Sequence, residues 1–244
     1  MHSVTPDIWL SNILGFPCYR AESPTNLAEA TFLVGEIKRQ VSGRAFAYVK
    51  VPCSAVGVAA LYMEHGYRVV DVGITFKRPP DPRSAPNPDS TFCVRVASAT
   101  DLLDAREIAS QCIVYSRFHL DPRFGQHIGN SVNWAWMDSY CHGQRGEIVY
   151  MAEIDGRRAG FIAVLRDSTG PHSFRVIDLI GVRPDFQRRG IGQALMNKFI
   201  DDTLLLNLPM KVTTQAANIP AVNLYERNGF QLAESMFVLH KHFP

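Results

Sequence analysis

"VRPDFQRRGIGQAL" occupies residues 182–195 and decides how the chain is read. Before it runs "RVIDLIGV" (175–182), which reads as a buried strand. After it, Ile191, Ala194, Leu195, Lys198 and Phe199 fall on one helical stripe, four of the five apolar. The stretch is therefore a turn from a strand ending near Val182 into a helix beginning near Gly190. The first amides of a helix have no internal acceptor, and the helix dipole is positive there. Gly190 and Gly192 let an anion approach the backbone closely, and Arg188 and Arg189 add positive charge. A phosphate or pyrophosphate cradle is the expected product. Two common phosphate loops do not fit. A Walker loop needs Gly-Lys-Ser/Thr at its end, and a dinucleotide fingerprint needs a small residue at position 195, which is leucine.

Any anion binding must be local. The 244 residues carry 25 basic and 23 acidic side chains, a formal net charge of +2, which gives no global case for nucleic acid or an anionic membrane. Hydrophobic residues make up 46%, enough for a sizeable core and too many for a disordered chain. The five cysteines (Cys18, Cys53, Cys93, Cys112, Cys141) are odd in number and show no CxxC spacing. That speaks against a zinc ribbon or a disulfide framework and fits a reducing cytosol. With neither a signal peptide nor a membrane span expected, the predicted location is cytoplasmic.

"KRPPDPRSAPNPDST" (77–91) holds five prolines and reads as a linker, because proline removes backbone donors and keeps the chain extended. The expected division is a small domain over 1–78, a linker over 79–91 and a larger domain over 92–244. The larger part alternates. "TDLLDAREIASQCIVYS" (100–116) has the spacing of a helix, with Leu102, Ala105, Ala109, Cys112 and Ile113 on one face. "EIVYMAEIDGRRAGFIAVLRD" reads as a hairpin turning at Asp155-Gly156. "MKVTTQA" is a strand, "NIPAVNLYERNGF" a short helix capped by Asn218 and stopped at Gly229, and "QLAESMFVLHKH" a closing strand. The smaller part ends in a similar order, with Leu61-Tyr62…Gly66-Tyr67 beside Leu224-Tyr225…Gly229-Phe230. Internal duplication is the preferred reading. The first copy has no counterpart of the arginine–glycine stretch and is expected to lack its function.

Val-x-Pro-x-x-Gln-x-x-Gly-x-Gly after a strand resembles the acetyl-CoA signature of the GNAT acetyltransferase superfamily. The match runs over Gln187, Arg188, Arg189, Gly190, Ile191 and Gly192, and Asn218, Tyr225, Gly229 and Phe230 follow in that superfamily's order. The resemblance covers roughly 92–244. It implies an α/β (α+β) GNAT acyl-CoA N-acyltransferase fold, a mixed and mostly antiparallel sheet flanked by helices, here with a smaller degenerate GNAT-like N-terminal half. It further implies acetyl-CoA as co-substrate, with no metal. The backbone of Ile180, Gly181 and Val182 would pair with the pantetheine arm. The amides of residues 188–192 would hold the pyrophosphate. Asn218 would contact the pantetheine or cap its helix, and Tyr225 would protonate the leaving thiolate or simply fill the core. For the general base, Asp178 ranks first by strand parity with Val182, ahead of Glu153, His172 or a water chain.

The acceptor side is expected in "YSRFHLDPRFGQHIGNSVNWAWMDSYCHGQRGE" (115–147), dense in aromatic, histidine and arginine residues. Arg117 and Arg123 could bind an anion bidentately, and His119 joins them as a candidate. Phe118, Phe124, Trp134 and Trp136 could stack on a base or sugar ring. The opposing reading makes the tryptophans helix anchors and the arginines surface charges. "SRFHLDPRF", the degenerate first half and the proline-rich link together resemble the dTDP-fucosamine acetyltransferases of bacterial surface-polysaccharide synthesis. That resemblance implies a small-molecule acceptor, the 4-amino group of a dTDP-linked 4-amino-4,6-dideoxy sugar, with Arg117 and Arg123 as candidates for its diphosphate. Another small amine, a peptide N-terminus, or a non-catalytic CoA-binding role stay open. So does a homodimer, for which no heptad or interface run is visible. "HKH" (240–242) is expected to be a solvated strand end rather than a chelator.

Overall fold

The computed structural model describes residues 3–81, 92–170 and 173–244. Most of the proline-rich stretch, residues 82–91, and His172 lie outside the described residues. The N-terminal half runs β1 (Val4–Pro6), α1 (Ile8–Leu14), β2 (Cys18–Ala21), α2 (Leu27–Gln40), β3 (Ala45–Pro52), α3 (Val56–Glu64) and β4 (Arg68–Arg78). The C-terminal half runs β5 (Cys93–Val96), α4 (Ala99–Cys112), α5 (Arg117–Leu120), α6 (Gln126–Cys141), β6 (Ile148–Ile154) and β7 (Arg157–Asp167). It continues through β8 (Phe174–Val182), a 3₁₀ turn (Pro184–Phe186), α7 (Ile191–Leu205), β9 (Met210–Gln215), α8 (Ile219–Arg227) and β10 (Gln231–Phe243). The β6–β7 turn falls at Asp155 and Gly156, both at positive φ (49° and 73°), the backbone a two-residue hairpin requires.

All ten strands join one sheet in the order β1-β2-β3-β10-β4-β9-β8-β7-β6-β5. The two halves exchange their last strands. β4 of the first half lies between β10 and β9 of the second, and β10 lies between β3 and β4 of the first. The segments on either side of the proline-rich stretch are thus interlocked, with continuous backbone ladders across the junction.

The unit β3–α3–β4 repeats in β9–α8–β10 down to its hydrogen bonds. The Tyr62 carbonyl accepts from His65 and Tyr67 amides (3.0 and 3.1 Å), and the Tyr225 carbonyl accepts from Asn228 and Phe230 amides (3.0 and 3.1 Å). Gly66 and Gly229 end the two helices at φ 82° and 77°, a left-handed stop that a side chain would strain. This repetition supports duplication.

One face of the C-terminal half buries Ile162, Val164 and Ile177 with Leu195 and Phe199 of α7 and Tyr225 of α8. The other buries Phe161, Ala163 and Leu179 under α4 and α6. Large side chains buried this completely contribute about 1.5–3 kcal/mol each relative to exposure. In the N-terminal half α2 and α3 cover one face, with Leu33, Tyr62 and Val49 inside. Phe46 and Tyr48 on the opposite face pack with Leu10 of α1, Phe118 of α5 and Val132 of α6.

Two departures from regularity shape the centre. β8 and β9 are parallel but pair only at Arg175↔Met210, Val176↔Lys211 and Ile177↔Val212. Beyond that β8 follows β7 to Val182, while β9 follows β4 to Gln215. The strands splay, and residues 178–182 of β8 have no ladder to β9. A bulge on β8 leaves Asp178 as an extra residue, since Ala163 faces Leu179 and Val164 faces Ile177.

Candidate active site

The cradle forms where the turn enters α7. Phe186 is buried and anchors the turn, and the Gln187 side chain donates to the Val182 carbonyl (3.1 Å). Arg188 stands at φ 59° and Gly190, the residue before the helix, at φ 88°. Left-handed backbone at an arginine costs about 1 kcal/mol or more, a cost usually found where the backbone meets a ligand. Ala194 is the first amide bonded back into the helix, to the Gly190 carbonyl (3.0 Å). Among the described residues none of the amides 188–193 donates to a backbone carbonyl. An idealised Cβ at Gly190 would come within 3.2 Å of Phe92, whereas one at Gly192 would meet only Leu224 at 3.7 Å. The space beside Gly192 is therefore open to a ligand, and the free amide row fits a pyrophosphate. Arg188 and Arg189 are exposed, and Arg189 lies over the Phe186 ring (5.5 Å).

The splay opens beside this cradle. The free edge of β8 at Ile180, Gly181 and Val182 faces it, with Gly181 packed on Phe161 and Ile108. Asn218 caps α8, accepting from the Ala221 amide (3.3 Å), and its amide nitrogen approaches the Thr214 hydroxyl (3.4 Å). Tyr225 of α8 is buried between Phe76 and Phe230 (ring centroids 6.0 Å from each). Burial pushes its phenol well above the ordinary range, so it stays protonated and keeps a proton to give.

Asp178 does not lie where parity places it. The bulge turns its side chain to the α4–α6 face, away from Ile180 and Val182. There it accepts from Trp136 (3.0 Å), Tyr140 (2.8 Å) and both arms of Arg145 (2.6 and 2.9 Å). A carboxylate so fully occupied is a structural brace, not a free base. Asp178→Ala should leave buried donors unpaired and cost about 3 kcal/mol in denaturant unfolding. Glu153 is neutralised by Arg95 (3.0 Å) and Arg158 (3.6 Å) two strands from the splay.

On the acceptor side the candidates separate. Arg117 is half-buried, sandwiched over the rings of Tyr48 (3.8 Å) and Phe118 (4.5 Å). His119 is committed to packing. Its ring bonds Ser116 (2.6 Å) and Asn130 (2.9 Å) and fills the space that a Cβ at Gly129 would take. Arg123 is exposed on the outer rim. Phe118 and Phe124 are core residues. Trp134 is 43% exposed under Arg106 (4.4 Å), and Trp136 meets Trp9 edge-on (6.3 Å).

The closing "HKH" is not a solvated end. His240 is 2% exposed, and both His240 Nδ1 and His242 Nε2 reach the same Asp121 oxygen (2.8 Å each). Burial drives the His240 pKa down to about 4, so it is neutral near pH 7. Burial opposes the charge on Asp121, but the two histidines and the Arg123 amide hold its pKa below the usual carboxylate range. These three ligand-type groups lie within 4.8 Å of one another. Arg117 faces the outer His240 nitrogen at 3.3 Å, so that nitrogen is the acceptor and Nδ1 carries the proton. A cation on Nδ1 would reverse this. The donor set fits a hydrogen-bond chain ending on Arg117 better than a metal.

Sequence reading missed three residues of the first half that this face gathers. Tyr48, Lys50 and Asp71 lie on the α5–α6 face, where Tyr48 pairs with His240 across β3–β10 and Val238 lies between Lys50 and Asp71. Asp71 is 7% exposed, and burial lifts its pKa to about 6 against the pull of the Val72 amide, Lys50 and Arg117. No motif marks these residues, because strand pairing between the two halves brings them to this face.

A splayed parallel strand pair with a free amide row at its mouth is the geometry expected of an acyl-CoA transferase class of fold. Residues 113–230 match the model of the Acetyltransferase (GNAT) family. The chain is similar to the spore coat polysaccharide biosynthesis protein SpsD of Bacillus subtilis (strain 168), at 24% identity over 204 residues, 83% of this chain and 68% of that protein. Among solved structures it is similar to a GCN5-related N-acetyltransferase from Kribbella flavida (TM-score 0.64, 15% identity, 100% of this chain and 89% of that one). It is also similar to a tandem GNAT protein from the clavulanic acid biosynthesis pathway (TM-score 0.60, 13% identity, 92% and 75%). The matched segment, just under half of the chain, is thus similar to the GNAT acetyltransferases, a family whose co-substrate is acetyl-CoA, and the whole chain shares their fold. No helix among the described residues is long and apolar enough to cross a membrane.

Proposed function

We propose that the protein transfers an acetyl group directly to the primary amine of a nucleotide-linked amino sugar used in surface-polysaccharide synthesis. The observation that carries the transfer chemistry is the free amide row of residues 188–193 at the mouth of the β8–β9 splay. The likeness to SpsD, named for spore coat polysaccharide biosynthesis, supports the acceptor class. In this reading residues 188–192 hold the pyrophosphate, with Gln187 bracing the turn. Ile180, Gly181 and Val182 align the pantetheine arm as an added strand would, and Asn218 sets the start of α8 against it. Acetyl-CoA, when bound, supplies the activated acyl group. Tyr225 then holds the proton that the departing thiolate takes.

A base must unload the ammonium form of the acceptor. Asp71 is the carboxylate best suited, on the sheet face opposite Tyr225. Its raised pKa also shows in stability. The folded state binds the proton more tightly than the unfolded chain, so stability falls as pH rises from about 4 to about 6, by about 3 kcal/mol in all. Asp71→Asn is therefore expected to fold at least as stably as the parent near pH 7. The parent's kcat/KM should rise with pH through about 6, and Asp71→Asn should lose that limb with a ~10²-fold lower plateau. An unaltered limb in the variant would remove Asp71 as the base.

The acceptor class is tested by CoA release across amino-sugar nucleotides, polyamines and peptides. Turnover restricted to the first group is the expected result. Turnover of polyamines or peptides alone would replace the acceptor, and silence with all three would favour a non-catalytic CoA-binding role.

A further inference from the structure

Around Arg117 the sheet gathers cations from both halves. Arg20 of β2, Tyr48 of β3 and His240 of β10 form one row across neighbouring strands on the α5–α6 face. Lys50 stands two residues further along β3 on the same face. Arg20 and Lys50 are solvent-exposed and Arg117 half-buried, so solvent reaches all three. Yet surrounding protein desolvates Lys50 enough to lower its pKa, and the charges of Arg117 and Arg20 lower it further against Asp71.

These cations are not paired off. Among the described residues no carboxylate lies within 4.0 Å of Arg20, Lys50 or Arg117. Asp7, the nearest acid on α1's side, is taken by the Tyr48 hydroxyl (2.8 Å) and by the Leu10 amide (3.0 Å). Arg117 is also pre-set. Asp121 holds His240, His240 accepts one arm of Arg117, and the Tyr48 and Phe118 rings clamp its plane. A rigid guanidinium beside two further cations, none of the three within ion-pair distance of a carboxylate, is a charge arrangement that a multivalent anion complements.

We propose that Arg117, Lys50 and Arg20 form a diphosphate-binding subsite shared by the two halves, separate from the cradle at α7. It would hold the diphosphate of a nucleoside-diphosphate-linked acceptor, and it gives the N-terminal half a direct part in substrate recognition. The assignment rests on the amino-sugar nucleotide reading for its biological ligand. Binding of a diphosphate can be tested without it.

Calorimetry on the full chain, first saturated with CoA so that the α7 cradle is filled, would use dTDP, inorganic pyrophosphate and thymidine as probes. Both diphosphates should bind, weaken steeply with salt, and outlast thymidine, which should not bind alone. Lys50→Gln and Arg117→Gln should each weaken dTDP ~10-fold or more with CoA affinity unchanged. Lys50 is exposed, so its variant keeps the test valid if the Arg117 variant unfolds. His240→Phe should weaken dTDP while Lys50 is intact, because Arg117 loses its brace. A wild-type protein that ignores both diphosphates, or a folded Lys50→Gln protein that binds them undiminished, would overturn the subsite. Diphosphate binding without acetyl transfer to any amino-sugar nucleotide would leave the subsite standing and defeat the proposed acceptor.

Discussion

Tyr225→Phe is expected to fold, to bind CoA with unchanged affinity, and to lose turnover by ~10²–10⁴-fold. The residue is buried between Phe76 and Phe230, so removing one oxygen preserves the packing that fixes α8. Burial alone raises its pKa, so the proton stays on the phenol throughout the working pH range. The loss should therefore appear in kcat with little change in KM, as expected for a group that acts only as the thiolate departs. It should also be smaller for acyl donors with a more acidic thiol, which need the proton less. Unchanged turnover in steady-state kinetics would remove Tyr225 as the acid and leave it as a core residue.

Gly190→Glu is expected to reduce CoA binding more than 100-fold, which calorimetry would register as no measurable heat at micromolar concentrations. Two physical causes combine there. The backbone sits at φ 88°, and a Cβ would press on Phe92 at 3.2 Å. The added carboxylate would then point its charge along the amide row. Gly192→Glu separates the causes. Gly192 needs no left-handed backbone, and its Cβ would meet only Leu224 at 3.7 Å. That variant should keep its melting temperature and still fail to bind CoA. If either folded variant retained micromolar affinity, the amide row would not be the pyrophosphate site.

Local chemistry was legible along the chain wherever neighbours in sequence make the feature. The hairpin at Asp155-Gly156, the Asn218 cap and the Gly229 stop follow from side-chain and backbone preferences that act over a few residues. The α4 helix is shorter than its pattern suggests, ending at Cys112 before the extended Ile113. Its apolar stripe continues past the point where the backbone turns. Asp178 shows the limit of periodicity. One extra residue in β8 inverts the faces of everything beyond it, and no composition signal marks a bulge. His240 and His242 show the limit of position. A strand end is usually solvated, but β10 pairs with β3 past His242 and with β4 as far as His240, so His240 is inside and His242 is partly buried.

The proposed donor side was readable from residues adjacent in the chain. An amide row at a helix start needs only a strand, a turn with glycines and a helix, all within residues 175–199, and these are local. The proposed acceptor side depends on tertiary structure. Residues 20, 48, 50 and 71 meet residues 117 and 240 only because the two halves exchange β4 and β10, and that exchange is a property of the assembled sheet. Contacts so far apart in the chain arise from strand order, which no spacing within either half encodes.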